Sequence, residues 1–323
     1  MNQEESNENR WLVIVNPNAG KKRGGKDWPE ISALLTEAGF EFIHEFTAHR
    51  DHAVTIAENY IRAGFRKIIV VGGDGTMNEV INGIFHQEKI TTTGVMVGMI
   101  MVGTGNDWGR MYNLKENYKK AVKILKKQRL FIQDVGMVRY YDGPKEISRY
   151  FVNIAGLGYD ALVTSMTNIT KEKGGGGTMA YLLNLVKGLF RYHHAYLNVE
   201  VDGENIYKGR VFSMSVGICK YNGGGMMQLP FAVPDDGELD ITIFKDVNKL
   251  TVLRHIKKLY AGTFTSLPFV QTHRGKTVSI ISSTHDQSQL ETDGESLGHT
   301  PFTFQIIPKS AKVITGKKWK SDD

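Results

Sequence analysis

The chain has 323 residues, 41% hydrophobic and 23% charged, with one cysteine, Cys219. That is enough for roughly two domains of ordinary composition, and it excludes wholesale disorder, an internal disulfide and a thiolate metal cluster. A net charge of +6 and a pI near 9.1 favour anionic partners (nucleic acid, phosphate compounds or an anionic membrane surface) without choosing among them.

The polar start MNQEESNENR has no apolar run behind it and does not read as a signal peptide. WLVIV (residues 11–15) reads as a buried strand closed by the turn NPNAG. Trp28, Ile31, Leu34 and Leu35 follow at helical spacing, with Gly39 as the stop. FEFIHEFT (40–47) is a second strand and HAVTIAENYIRAG (52–64) a helix. RKIIVVGGDG is a strand running into a glycine loop, continued by the helix TMNEVINGIF. VMVGMIMVGTGNDWGR supplies another strand and loop. A lysine-rich helix over 115–128 then turns Ala121, Ile124 and Leu125 inward. This alternation predicts a parallel sheet covered on both faces.

After about residue 130 the texture changes. RYFVNIAGLGYDA, AYLNVEVDG, YKGRVFSMSVGI, GELDITIFKD, TVSIISS and FTFQIIP are apolar or alternating runs of antiparallel character. Helices interrupt them near 178–190 and 249–261. The expectation is an α/β nucleotide-binding domain over 11–132 and a β-rich, sandwich-like domain over 133–315, whose last strand is free to return to the first domain. KEKGGGGTM (171–179) reads as a mobile loop. No stretch nears the roughly 18 apolar residues of a membrane span; AYLLNLVKGLF is too short and carries Lys187. Its Leu182, Leu183, Leu185, Val186 and Leu189 fit either a packed helix face or an apolar cleft.

Gly72-Gly73-Asp74-Gly75-Thr76 is the strongest local signal, set between a strand and a helix. Glycines let backbone N–H groups approach a phosphate, and the helix N-terminus adds partial positive charge. Asp74 repels phosphate and suits Mg²⁺ or an ordering role. Asn16 to Gly20 and Gly103 to Asp107 also follow strands, and in a parallel sheet all three loops fall where such sheets bind ligands. GKKRGGKD (20–27) almost spells a phosphate-binding P-loop, but Asp27 stands where Ser or Thr is needed. The histidines form no metal-ligand spacing.

NPNAG, GGDGTMNEVING and GTGNDWGR, followed by GGGMMQLPFAVPDDGELD (223–240) and Thr292-Asp293-Gly294-Glu295, resemble the catalytic domain family of the diacylglycerol kinases. That family includes bacterial lipid kinases, sphingosine kinases and ceramide kinases. GGDGT alone is shared with NAD kinases and phosphofructokinases; the combination is far more specific, and the resemblance spans about residues 11–315. It implies ATP and Mg²⁺ as cofactors, a lipid substrate at a membrane surface, and an active site in a cleft between the domains. Asn16, Pro17, Asn18, Ala19 and Gly20 resemble the first nucleotide loop and Thr47 the polar end of the second strand. Gly72, Gly73, Asp74, Gly75, Thr76, Met77 and Asn78 resemble the phosphate loop, with Thr104 a further contact. Asp236, with the carbonyls of Val233 and Glu238, resembles a structural Mg²⁺ site. Glu295 matches the proposed general base, with Asp293 beside it and Asp74 assisting the metal. Trp108-Gly109 departs from the usual Phe-Ala, which puts the shape of the acceptor pocket in question.

The lysines of 119–127 and the cations Lys21, Lys22, Arg23 and Lys26 read as solvated faces or counter-charge for phosphates and anionic headgroups. No nucleic-acid-binding pattern accompanies them. The reading is an ATP-dependent lipid kinase, cytoplasmic and able to meet the inner face of a membrane, with an exposed strand edge that would serve a homodimer. An NAD kinase-like enzyme and a non-catalytic nucleotide or lipid sensor stand as alternatives.

Overall fold

The computed structural model describes residues 7–172, 178–282 and 288–319. They form two compact units: Met1–Gln133 with Lys309–Asp323, and Asp134–Pro308.

In the first unit β1 (Trp11–Val15), β2 (Phe42–Phe46), β3 (Lys67–Gly72) and β4 (Met96–Met101) run parallel in the order β2-β1-β3-β4. The end of the long last strand joins β4 in parallel through Lys312 and Val313. Strands buried on both faces must be apolar throughout rather than alternating, and Leu12, Val13, Ile14, Ile68, Ile69 and Val70 are wholly buried. The connecting helices are α1 (Ala19–Lys26), α2 (Trp28–Glu37), α3 (His52–Arg62), α4 (Asp74–His86), α5 (Asp107–Met111) and α6 (Tyr118–Lys127). On one face Trp28, Ile31 and Leu35 of α2 and Tyr118, Ala121, Val122 and Leu125 of α6 pack on β1 and β3. Val122 joins the inner stripe of α6, and Ile124, partly buried, packs against the same cluster. Nothing in the composition of α1, AGKKRGGK, foretells a helix, and Gly20, Lys21 and Lys22, after its first residue, are left-handed and kink it.

The second unit is a β-sandwich built from β5 (Leu130–Asp142), β6 (Lys145–Phe151), β7 (Ile154–Gly158), β8 (Ala195–Val201), β9 (Glu204–Gly217), β10 (Leu239–Lys245), β11 (Val270–Gly275), β12 (Thr277–Ser282), β13 (Gln289–Thr292) and β14 (Glu295–Ile314). Antiparallel pairings run β13–β7–β9–β8–β12–β14 and back to β13, so those six strands close on themselves. Closure leaves fewer edges open to mispairing.

Helices α7 (Tyr159–Glu172), α8 (Thr178–Arg191) and α9 (Lys249–Ala261) belong to this unit. The first of them is not foreseen by the sequence reading, which runs the YDA segment into a strand. Val163, Thr167, Ile169 and Thr170 give α7 strand-like chemistry. Two hydroxyls are satisfied inside the helix, Thr167 Oγ1 donating to the Val163 carbonyl and Thr170 Oγ1 to that of Met166, both at 2.8 Å. Tyr159 and Val163 bury themselves with Leu185, Leu189 and Phe212, and packing overrides propensity. The leucine set of α8 divides: Leu185 and Leu189 point inward, while Leu183 and Val186 are exposed. The glycine patch contributes the end of α7 and the start of α8; its residues 173–177 lie outside the described residues, as does the side chain of Leu182.

Candidate active site

Three loops meet at the carboxyl ends of β1, β3 and β4. The backbone N–H of Asn16 donates to the Val71 carbonyl at 2.9 Å, and that of Val102 to the Gly72 carbonyl at 2.9 Å. Asn16 Nδ2 donates to Thr76 Oγ1 at 3.0 Å, joining the first loop to the second. The backbones of Gly73 and Gly103 touch so closely that a Cβ on Gly103 would lie 2.7 Å from the Gly73 Cα. Asp74 completes the junction: its carboxylate accepts the backbone N–H groups of Asp107 at 3.0 Å and Trp108 at 3.1 Å. It therefore orders the third loop as well as opening α4.

Gly20 is required on two counts, since its φ is +60° and a side chain there would run into the Val102 carbonyl. Asn18 donates its N–H to Asn16 Oδ1 at 3.0 Å, and Pro17 and Ala19 complete that turn. Thr47 sits at the end of β2, its N–H on the Val15 carbonyl. Thr104 is exposed at the tip of the third loop. Met77 and Asn78 behave differently: both are wholly buried, with Asn78 Oδ1 accepting from Asn82 Nδ2 at 3.1 Å. Glu79 is likewise turned in, accepting the Ala53 N–H at 3.0 Å at the start of α3.

Trp108 is a core residue. Its Nε1 donates to Gln133 Oε1 at 3.0 Å and its ring lies against Tyr112. Gly109 leaves room for the Met101 sulfur. The Trp-Gly pair thus packs within the unit's own interior beside the loop.

Asp74 and Asp107 offer a second property. A Cβ on Gly105 would fall 3.3 Å from Asp74 Oδ2 and 3.4 Å from Asp107 Oδ2, so Gly105 leaves open a cradle between two hard carboxylate oxygens. That donor chemistry fits Mg²⁺ shared with phosphate oxygens. Asp107 lies inside the GTGND motif, but its partnership with Asp74 is a long-range fact.

In the second unit Asp293 and Gly294 have φ of +50° and +86° and form the tight turn between β13 and β14. Asp293 is turned inward. Its Oδ2 accepts the Val152 N–H at 2.9 Å, and its Oδ1 those of Asn153 at 3.0 Å and Ile154 at 3.2 Å. Glu295 emerges directly after the turn, part-exposed on the strand opposite Thr292. Glu291, which sequence reasoning passed over, is wholly buried behind it. Its carboxyl accepts the Gly294 N–H and Asn222 Nδ2, both at 3.0 Å. Burial pushes its pKa up to about 8, against the pull of those two donors.

Asp160, also missed, is the first acid of α7 and is held by Gln228 Nε2 at 3.0 Å. Burial raises it to about 6. It stands on the wall of a narrow apolar cavity lined by Val163, Leu185, Phe212, Met226, Phe244, Ile256 and Phe264. No local signal in the sequence marks Asp160; only the cavity does.

At the acidic turn that the resemblance makes a Mg²⁺ site, a guanidinium lies against the carboxylates. Arg274 pairs with Asp236, with Glu238 at 3.2 Å and with Asp240 at 3.4 Å. The other Asp236 oxygen accepts the Glu238 N–H at 3.1 Å. Both Asp236 oxygens are thus engaged in this arrangement, as both Asp74 oxygens are, and a cation held by Asp236 with the carbonyls of Val233 and Glu238 would share the turn with this guanidinium. Among the described residues no group of three or more His, Cys, Asp or Glu side chains is placed to hold a metal ion.

Residues 10–138 match the diacylglycerol kinase catalytic domain, and residues 153–315 the YegS C-terminal NAD kinase beta sandwich-like domain. A diacylglycerol kinase of Staphylococcus carnosus is 30% identical over 315 residues, which is 97% of each chain. The chain belongs to the diacylglycerol kinase family. It is an enzyme, an ATP-dependent lipid kinase. A diacylglycerol kinase of Staphylococcus aureus is 30% identical over 94% of this kinase and 92% of its own length. A crystal structure of a Bacillus anthracis diacylglycerol kinase shares the fold, with a TM-score of 0.70 at 24% identity over 95% of this chain and 97% of that one. Yeast NADH kinase shares it more distantly, at a TM-score of 0.55 and 12% identity over 97% and 85%.

Proposed function

We propose that this lipid kinase moves the γ-phosphoryl group of ATP to the free hydroxyl of diacylglycerol or a closely related lipid, at a membrane surface. The nucleotide lies along Asn16 to Gly20, Thr47, Gly72 to Thr76 and Thr104, where glycine amides and the start of α4 meet its phosphates. Met77 and Asn78 support that loop from the core. Glu295 accepts the hydroxyl proton as the lipid oxygen attacks the γ-phosphorus. The bond to the β-phosphate oxygen breaks and ADP leaves. Asp293 is a positioning residue that holds the turn from which Glu295 projects. Asp74 and Asp107 are the residues that would hold Mg²⁺, which supplies charge neutralisation to the phosphates when bound.

The observation that carries the lipid reading is an apolar cavity of about 70 Å³ beside Asp160, room for the end of an acyl chain, in the unit that also bears Glu295. Apolar walls suit an acyl chain and the carboxyl suits a headgroup hydroxyl; a dinucleotide would leave the walls unused. The purified chain, given ATP and Mg²⁺, should phosphorylate dispersed diacylglycerol in a panel with sphingosine, undecaprenol and NAD. Transfer to NAD with none to any lipid would overturn the reading in favour of an NAD kinase-like enzyme. Nucleotide binding without transfer to any of the four would favour a sensor.

A further inference from the structure

A helix that packs on a core ordinarily shows water its polar side. Helix α8 does not. Its inward residues Leu185 and Leu189 are buried, yet among the side chains described, over 183–191, the outward ones are Leu183, Val186, Lys187, Phe190 and Arg191. Phe190 is 67% exposed and Leu183 53%. Lys249 Nζ donates to the Phe190 carbonyl at 2.9 Å, which brings the start of α9 against the end of α8. Leu250, the next residue of α9, is 74% exposed. Beyond it the outward face of α9 carries Arg254, Lys257 and Lys258. Neither helix contains a single Asp or Glu.

We infer that the outer faces of α8 and α9 form the surface by which the protein docks on an anionic lipid bilayer, a deepening that rests on the lipid-kinase reading. Exposed Leu, Val and Phe flanked by Lys and Arg is the chemistry of an interfacial helix: the apolar groups enter the acyl boundary while the cations reach the headgroups. A second copy of the chain fits less well, because a two-fold contact would bring the same unbalanced cations face to face. The placement also serves the substrate. Leu185 of α8 and Val252 and Ile256 of α9 line the apolar cavity from its inner side. The same two helices therefore meet the bilayer outside and wall the acyl site inside.

Flotation with vesicles of mixed phosphatidylglycerol and phosphatidylcholine tests this without any turnover. The wild-type chain should bind, less at high salt and less to phosphatidylcholine alone. The triple variant Leu183→Ser, Val186→Ser, Phe190→Ser should lose about ten-fold or more in partitioning. Its folding is checked by an unchanged melting temperature, and by unchanged turnover on diacylglycerol dispersed in detergent. A second variant, Lys257→Glu with Lys258→Glu, should lose binding to the anionic vesicles and keep the residual binding to the neutral ones. Triple-variant flotation equal to wild type overturns the surface. So does a lipid-free wild-type dimer that the triple variant converts to monomer. A wild type that floats through this face but phosphorylates no lipid leaves the docking surface standing and overturns the proposed function instead.

Discussion

Asp293 illustrates how much a single carboxylate can hold. It supplies acceptors to three consecutive backbone N–H groups in a dry environment, where an unpaired donor is costly. Asp293→Ala should cost about 2–4 kcal/mol, read as a lower urea midpoint. The proposed chemical role falls to Glu295, just past Gly294. Glu295→Gln keeps shape and some hydrogen bonding but removes the proton acceptor, so kcat should fall by roughly 10²–10⁴-fold with little change in KM for ATP. Near-normal kcat in a folded Glu295→Gln enzyme would rule out the base. Glu291 makes stability depend on pH. Its folded pKa is raised from 4.5 to about 8. Between those values the folded state keeps a proton that the unfolded chain has released, so stability falls as pH rises through the window and the contribution is gone above it. Asp160 adds the same sign between 3.8 and about 6. Melting temperatures across pH 5 to 9, on a common buffer scale, should show a decline above about pH 6 that Glu291→Gln removes.

Elements behave as local chemistry suggests until packing intervenes. The three glycine loops follow from apolar runs that stop at residues able to turn, and their positions are legible residue by residue. Their mutual fit is more demanding. Gly103→Ala would push its methyl into the Gly73 backbone and force the second and third loops away from each other, raising KM for ATP by roughly ten-fold, equivalent to about 1.4 kcal/mol. Thr104→Ala, at the exposed tip, should shift it less. Helix α7 is illegible in the sequence because its β-branched residues argue for a strand, and only burial of Tyr159 and Val163 decides otherwise. The acidic turn before β10 is legible as a charge problem but not in its solution, since Arg274 lies 38 residues from Asp236. Arg274→Ala leaves Asp236, Glu238 and Asp240 in mutual repulsion. It should lower the melting temperature and make it respond to Mg²⁺ at fixed ionic strength. A wild type with that response and a variant without it would place Mg²⁺ at this turn in the native protein.

For the molecule as a whole, the net charge of +6 acquires a use in the docking surface. Turnover on diacylglycerol in anionic vesicles should fall steeply between low and physiological salt, because screening weakens attraction between exposed charges. Turnover on detergent-dispersed diacylglycerol should fall far less. Equal salt dependence in the two assays would assign the effect to ATP binding rather than to the surface. The proposed roles differ by region, the glycine loops binding nucleotide and Glu295 taking the proton. Mutations in the loops should therefore move KM for ATP, while mutations at the acidic hairpin move kcat.

Sequence by itself determined what a few neighbouring residues can decide: the apolar strands, the glycine turns, the Asp-Gly hairpin, and the change of texture that separates an α/β unit from a β-sandwich. Tertiary structure decided which groups meet. Asp74 reaches the amide of Asp107 across 33 residues, and Asp293 that of Val152 across 141. Tertiary structure also turned Asp293, Met77 and Asn78 inward and left Leu183 and Phe190 outside. The physical reason is that periodicity fixes the spacing of a side chain along its element, whereas burial depends on what lies opposite, and opposite partners are distant in the chain.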